Sequence, residues 1–274
     1  MRRFLVVFFS LAVVPLALVV PLAQYSPPNA QHSLGAHVGK GIAGSGFDDF
    51  TVNDISSSGK WAYVGSTPLS FVPWQTGHQG IITFPTGITP SINELVGNQV
   101  VARPTGSFPG TNKCVVRFVI KCDALFMGSG FDGEWFMGIA DPDGKGNVYA
   151  GAMLSFAPGF PEVASRGLLA GSYTSQINHT ETPTNFTIAA NTWYDLVISW
   201  TPTVIKYYAA TYGQTPVLIA TNTTNISTDA QYLLIGNCRY GKGSPSVTLF
   251  IDRVEWLCKT AQSEAHLEED LLKF

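Results

Sequence analysis

Residues 131 to 156 read FDGEWFMGIADPDGKGNVYAGAMLSF. Two apolar runs, Glu134 to Ala140 and Val148 to Phe156, flank an Asp/Gly-rich loop. Neither run has a polar face. Small residues (Gly138, Ala140, Ala150, Gly151, Ala152) are interspersed with large ones (Trp135, Met137, Leu154, Phe156). Strands apolar on both faces belong in the middle of a sandwich or barrel, where both faces are covered. The Gly and Ala positions predict close approach of another backbone or of a ligand.

The loop from Asp141 to Asn147, DPDGKGN, has two readings. Asp and Gly supply the dihedrals of a hairpin turn. Asp141, Asp143 and Asn147 also place oxygen ligands at calcium-loop spacing, with calcium as the implied ion. Against the metal, Lys145 occupies a ligand position and no Glu closes the loop.

Composition bounds the rest. The chain has 274 residues, 45% hydrophobic and only 13% charged, with 27 glycines and 17 prolines. Many short strands and turns fit that usage, and the chain is read as all-β. A net charge of -3 provides no basic patch, so nucleic acid is not an expected partner.

Residues 1–23 carry Arg2 and Arg3 ahead of a long apolar run, the pattern of a signal peptide or an uncleaved membrane anchor. Either form places the remainder outside the cytoplasm, extracellular or on a cell or virion surface. Any membrane contact is through this segment alone. Residues 24–46 are rich in Pro, Gly and His and read as a flexible linker or arm. Residues 47–260 read as one β-sandwich, with turn clusters at sandwich spacing. Strands are expected at residues 60–64, 80–84, 114–122, 192–200, 204–210, 216–220, 232–235 and 247–256. Trp74, Gln75 and His78 fall in a loop between two of them. Residues 261–274 read as an acidic amphipathic helix with Leu267 and Leu271 four apart. The arm and this helix are the segments open to a protein partner.

Cys114 to Cys122 alternates strictly, with Val116, Phe118 and Ile120 on the parity of both cysteines and Arg117 and Lys121 on the other. This predicts a strand with one buried face. Its ends lie about 26 Å apart, too far for a disulfide. A hairpin between the last two strands would oppose Cys238 with Val247, not Cys258. Two cross-pairings remain. Antiparallel packing of the two long strands favours Cys114–Cys258 with Cys122–Cys238. No C-x-x-C occurs to suggest zinc. Four N-glycosylation sequons begin at Asn178, Asn185, Asn222 and Asn225, in two clusters read as loops.

A strand such as Thr192-Trp-Tyr-Asp-Leu-Val-Ile-Ser-Trp200, a hairpin from Val204 through Gly213 to Ala220, and a closing strand ending Ile251-Asp-Arg-Val-Glu-Trp256 resemble the concanavalin A-like lectin/glucanase superfamily. The resemblance covers residues 47 to 258. It implies a jelly roll of two antiparallel sheets, with a concave face that often binds glycans. It is nearest to laminin-G-like members and to sandwich domains of viral, phage and cell-surface proteins.

Hydrolases of that superfamily carry E-x-D-x-x-E on one strand, and no such run occurs here. Asp132 and Glu134, two apart on one face, are the nearest pair, and glycoside hydrolysis needs two facing carboxyls. Their other reading is a solvated turn at a strand entry. Asp252 and Glu255 differ in parity and are expected on opposite faces. Trp74, Trp135, Tyr173 and Trp193 are the candidate sugar platforms, since an aromatic ring stacks on the apolar face of a sugar. Each serves equally as core. The expected function is a secreted or surface-displayed, non-catalytic carbohydrate-binding sandwich. The alternatives are a structural or assembly protein of a virion or cell surface, and a glycoside hydrolase or lyase using Asp132 and Glu134.

Overall fold

Alternation is the reason Val116, Phe118, Ile120 and both flanking cysteines of the 114–122 run face the core, and they are 0–1% exposed. The computed structural model describes residues 44–48, 50, 61–65, 70–75, 78–85, 96–102, 113–123, 133–142, 148–156, 167–175, 178–229, 232–239 and 248–259. The leader, most of the arm, Asp132, the loop residues Asp143 and Asn147, and the C-terminal helix lie outside them.

The described strands, in chain order, are β1 (Gly44–Asp48), β2 (Trp61–Gly65), β3 (Ser70–Gln75), β4 (His78–Pro85), β5 (Val96–Ala102), β6 (Lys113–Cys122), β7 (Gly133–Pro142) and β8 (Val148–Phe156). They continue with β9 (Gly167–Tyr173), β10 (His179–Thr187), β11 (Tyr194–Trp200), β12 (Ile205–Thr211), β13 (Val217–Asn222), β14 (Tyr232–Arg239) and β15 (Thr248–Lys259). They form two antiparallel sheets. An eight-stranded sheet runs β13-β12-β11-β6-β15-β4-β3, with β1 on β15 beyond β4. A seven-stranded sheet runs β10-β9-β8-β7-β14-β5-β2. The main core lies between them and draws on Phe118, Leu196, Ile198, Trp200 and Tyr207 from one sheet and Met137, Ile139, Leu154 and Leu233 from the other.

The opening stretch is β7 and β8, and they lie inside the seven-stranded sheet, as two apolar faces require. β6 departs from expectation, because both of its faces are buried. Val115 packs with Val197, Tyr208 and Leu257 on the outer side. Arg117 is neutralised there by Asp195 at 2.7 Å and Glu255 at 3.2 Å. Burial nevertheless raises the Asp195 carboxyl above its ordinary range, with Arg117 acting against the shift.

A β-bulge at Asp252 interrupts β15, since Ile251 pairs with Ile120 and Arg253 already with Val119. Leu249 and Ile251 before it, and Val254, Trp256 and Cys258 after it, all face the core. Parity therefore does not carry across the bulge, and alternation does not set Asp252 and Glu255 on opposite faces.

The Cys114–Cys258 disulfide is formed across directly opposed positions, with Cα atoms 4.2 Å apart. That spacing suits a non-hydrogen-bonded antiparallel pair. The companion pairing is not formed, because Cys122 is a free, buried thiol facing the core. Cys238 lies on β14 in the other sheet. β14 and β15 also make no hairpin, since the chain changes sheets between them.

Two edge strands were not legible as strands. Trp74 and Gln75 belong to β3 and His78 to β4, not to a loop, with Gln75 paired to His78. His179 to Thr187 is β10, so Asn185 lies in a strand, and Asn222 is the last residue of β13. Both edge strands contain a proline, Pro73 and Pro183, and sheet edges are where proline is accommodated.

Candidate functional site

The outer face of the seven-stranded sheet is built around a register row. Val101, Leu234, Gly138, Met153, Gly171 and Glu181 stand side by side on β5, β14, β7, β8, β9 and β10. Glycine at two of these positions lets neighbouring side chains lie across the sheet. A Cβ on Gly138 would collide with the Ala152 carbonyl oxygen and come within 2.8 Å of the Met153 Cα. A Cβ on Gly171 would run into the ring of Tyr173. The middle of the face is closed, with Leu234 and Met153 fully buried.

Towards β10 the face becomes polar and opens. Tyr173 donates its hydroxyl to Glu181 Oε1 at 2.9 Å. Its ring stacks on His179, directly opposite in the ladder, with centroids 5.7 Å apart and planes 26° apart. The imidazole is half-buried, and its Nδ1 finds no partner among the described residues. Glu181 is exposed. Tyr173 thus fixes a carboxylate and an imidazole at the rim of an apolar floor.

Beneath this rim a polar seam joins the two sheets. Asn222 Nδ2 donates to Ala170 O, Ser172 Oγ and Thr180 O, and Asn222 Oδ1 accepts from Thr182 Oγ1. Tyr207 of the eight-stranded sheet donates to Gly171 O at 2.6 Å. Complete burial pushes the Tyr207 hydroxyl well above its ordinary pKa. These bonds hold β9 and β10 against β12 and β13, and so hold the rim.

The sequence-predicted residues are not gathered at one place. Tyr173 is at the rim, but only 8% exposed, its ring committed to Gly171 and His179. Trp193 lies on the other sheet's outer side, with Lys121 Nζ 5.0 Å from its ring centroid. Trp74 is on the edge strand β3. Trp135, Glu134 and Asp141 are on β7, opposite Asn237, Cys238 and Ala150. Among the described residues no group of three His, Cys, Asp or Glu could hold a metal ion. Residues 143–147 of the calcium-type loop lie outside the described residues.

Sequence reasoning missed His179 and Glu181. Their signal was the polar alternation of His179-Thr-Glu-Thr-Pro183, which reads as loop because it contains proline and no aliphatic residue.

Glu134 lies four residues along β7 from Gly138, and Glu181 lies three strands across from Gly138. Strand geometry then separates their Cα atoms by about 20 Å. Two glutamate side chains cannot reduce that to the roughly 9.5 Å limit of an inverting pair.

No family model and no curated protein matches the chain. Solved structures do. An endo-β-1,4-glucuronan lyase from the fungus Trichoderma reesei aligns at TM-score 0.53 and 13% identity, over 78% of this chain and 95% of the lyase. A Bacteroides ovatus family 16 glycoside hydrolase from a mixed-linkage glucan utilisation locus, in complex with its G4G4G3G product, aligns at TM-score 0.52 and 13% identity, over 77% and 99%. At that identity the likeness shows the fold. The chain has the fold of these proteins, a jelly roll of two antiparallel sheets.

Proposed function

We propose that this protein is a secreted or surface-displayed carbohydrate-binding sandwich that does not cleave its ligand. The saccharide is met at the rim of the seven-stranded sheet by His179 and Glu181, with Tyr173 holding both. The observation that carries this reading is the Tyr173–Glu181 hydrogen bond with His179 stacked against the same ring. A pre-fixed carboxylate and imidazole beside an apolar floor are suited to sugar hydroxyls, because the polar groups need no ordering on binding.

The lyase and the family 16 hydrolase act on polysaccharide by their descriptions, which supports the ligand class. The absence of cleavage is supported by the separation of Glu134 from Glu181, which rules out that pair. The Cys114–Cys258 disulfide supports an oxidising compartment.

The test is a screen of the purified chain against glycan arrays and soluble polysaccharides, with and without calcium, together with an assay for released ends. Binding lost tenfold or more in Glu181→Gln and His179→Ala, with no product from the wild type, supports the reading. A blank array sinks it in favour of a structural role. Product formation abolished by Glu134→Gln sinks the non-catalytic part.

A further inference from the structure

The fold separates the four sequons into two classes. Asn178, at the turn into β10, and Asn185, within β10, are exposed. The turn is held by backbone atoms of Asn178: its carbonyl accepts from Thr174 N and Ser175 N, and its N–H donates to Ser175 Oγ. Neither the Asn178 nor the Asn185 side-chain amide is bonded to a described residue. Asn222 is 2% exposed, and its Nδ2 serves three acceptors, at 3.1, 3.2 and 3.4 Å. Asn225 is half-buried in a left-handed conformation (φ 53°), with Nδ2 donating to Thr180 Oγ1 at 2.9 Å.

We propose that the folded protein carries N-linked glycans on Asn178 and Asn185 and none on Asn222 or Asn225. This rests on the secretory part of the function proposed above. In the transfer, the amide Nδ2 attacks C1 of the sugar of a lipid-linked oligosaccharyl diphosphate. The Nδ2–C1 bond forms, the C1–O bond to the diphosphate breaks, and Nδ2 loses one proton. At Asn222 the product would keep a single N–H for three acceptors and would need space that does not exist there. At Asn178 and Asn185 no side-chain bond to a described residue is lost.

The placement has a consequence for β10. It is an edge strand, and an exposed edge is a template for another strand. A glycan on Asn185 blocks that approach sterically, where Pro183 already removes one donor.

The experiment is expression of the full chain in a glycosylating eukaryotic cell, in parallel with residues 24–274 behind a standard secretory leader. Glycopeptides of the secreted protein are mapped by mass spectrometry. Occupancy at Asn178 and Asn185 alone is expected, and Asn178→Gln with Asn185→Gln should reduce the secreted chain to its unmodified mass. Secreted wild type without glycan overturns the proposal, as does a glycan on Asn222 or Asn225 in secreted, folded protein. If the native leader fails and the standard leader secretes, the compartment reading falls. The glycopeptides of the second protein then decide the sites on their own.

Discussion

Cys258 opposes Cys114 because the β15–β6 register skips Asp252. Before the bulge Leu249 pairs with Cys122 and Ile251 with Ile120; after it the register is moved by one, and Cys258 meets Cys114. In an unbroken ladder Leu257 would occupy that place. One extra residue therefore decides both the face and the partner of the second cysteine.

The disulfide closes a loop with a sequence separation of 144. Chain entropy for a loop of that length corresponds to about 5 kcal/mol. Urea unfolding of the Cys114→Ala/Cys258→Ala variant should show a loss of this order. Deletion of Asp252 should leave both thiols reduced, read by alkylation in denaturant and peptide mass. A deletion variant that still forms the bond would refute the register argument.

Cys122 should respond to alkali. Burial pushes its thiol up from 9.0 to about 12. The folded pKa is raised, so its stability contribution is full below pH 9 and is lost as pH rises toward 12. Between those values the unfolded thiol ionises while the folded one does not. The expected slope is about 1.4 kcal/mol per pH unit, and Cys122→Ala should remove it. Equal slopes in wild type and variant would contradict this. Above pH 10 Tyr207 adds loss of the same sign, which the variant keeps.

Asn222→Asp keeps the shape and removes both donors. Three acceptors then lose their partner and a carboxylate is buried beside them. We expect a loss of about 3 kcal/mol. Asn178→Asp, on an exposed residue, should change stability by less than about 0.5 kcal/mol. Denaturant midpoints of the two variants give the comparison, and equal effects would refute the seam.

Gly138→Ala should cost about 3 kcal/mol, because the new Cβ meets backbone atoms that cannot turn aside. Gly213→Ala is the contrast. It has φ +83° and nothing within 4 Å, so only the left-handed backbone cost of about 1 kcal/mol applies. The ranking, read from thermal midpoints, is the test.

Legibility followed hydrophobic patterning. β6, β7, β8, β11, β12 and β15 are apolar runs or strict alternations, and each was readable. β3 and β10 were not, because an edge strand needs no apolar face and tolerates proline, so Pro73 and Pro183 disguise them. The rim residues His179 and Glu181 went unseen with β10. Trp74, Tyr173 and Trp193, singled out by residue type, proved to lie apart, since residue type does not say which sheet a strand joins.

The sequence by itself determined that this is an all-β sandwich, because the period of two and the apolar runs are local properties of the chain. It also narrowed the cysteines to two cross-pairings, of which the favoured one contained Cys114–Cys258. Only the tertiary structure decided which cysteine stays free, which asparagines are buried, and that Tyr173, His179 and Glu181 meet. Those outcomes depend on register, on the bulge at Asp252 and on the sheet each strand enters. They are set by packing between residues far apart in the chain, which local pattern does not encode.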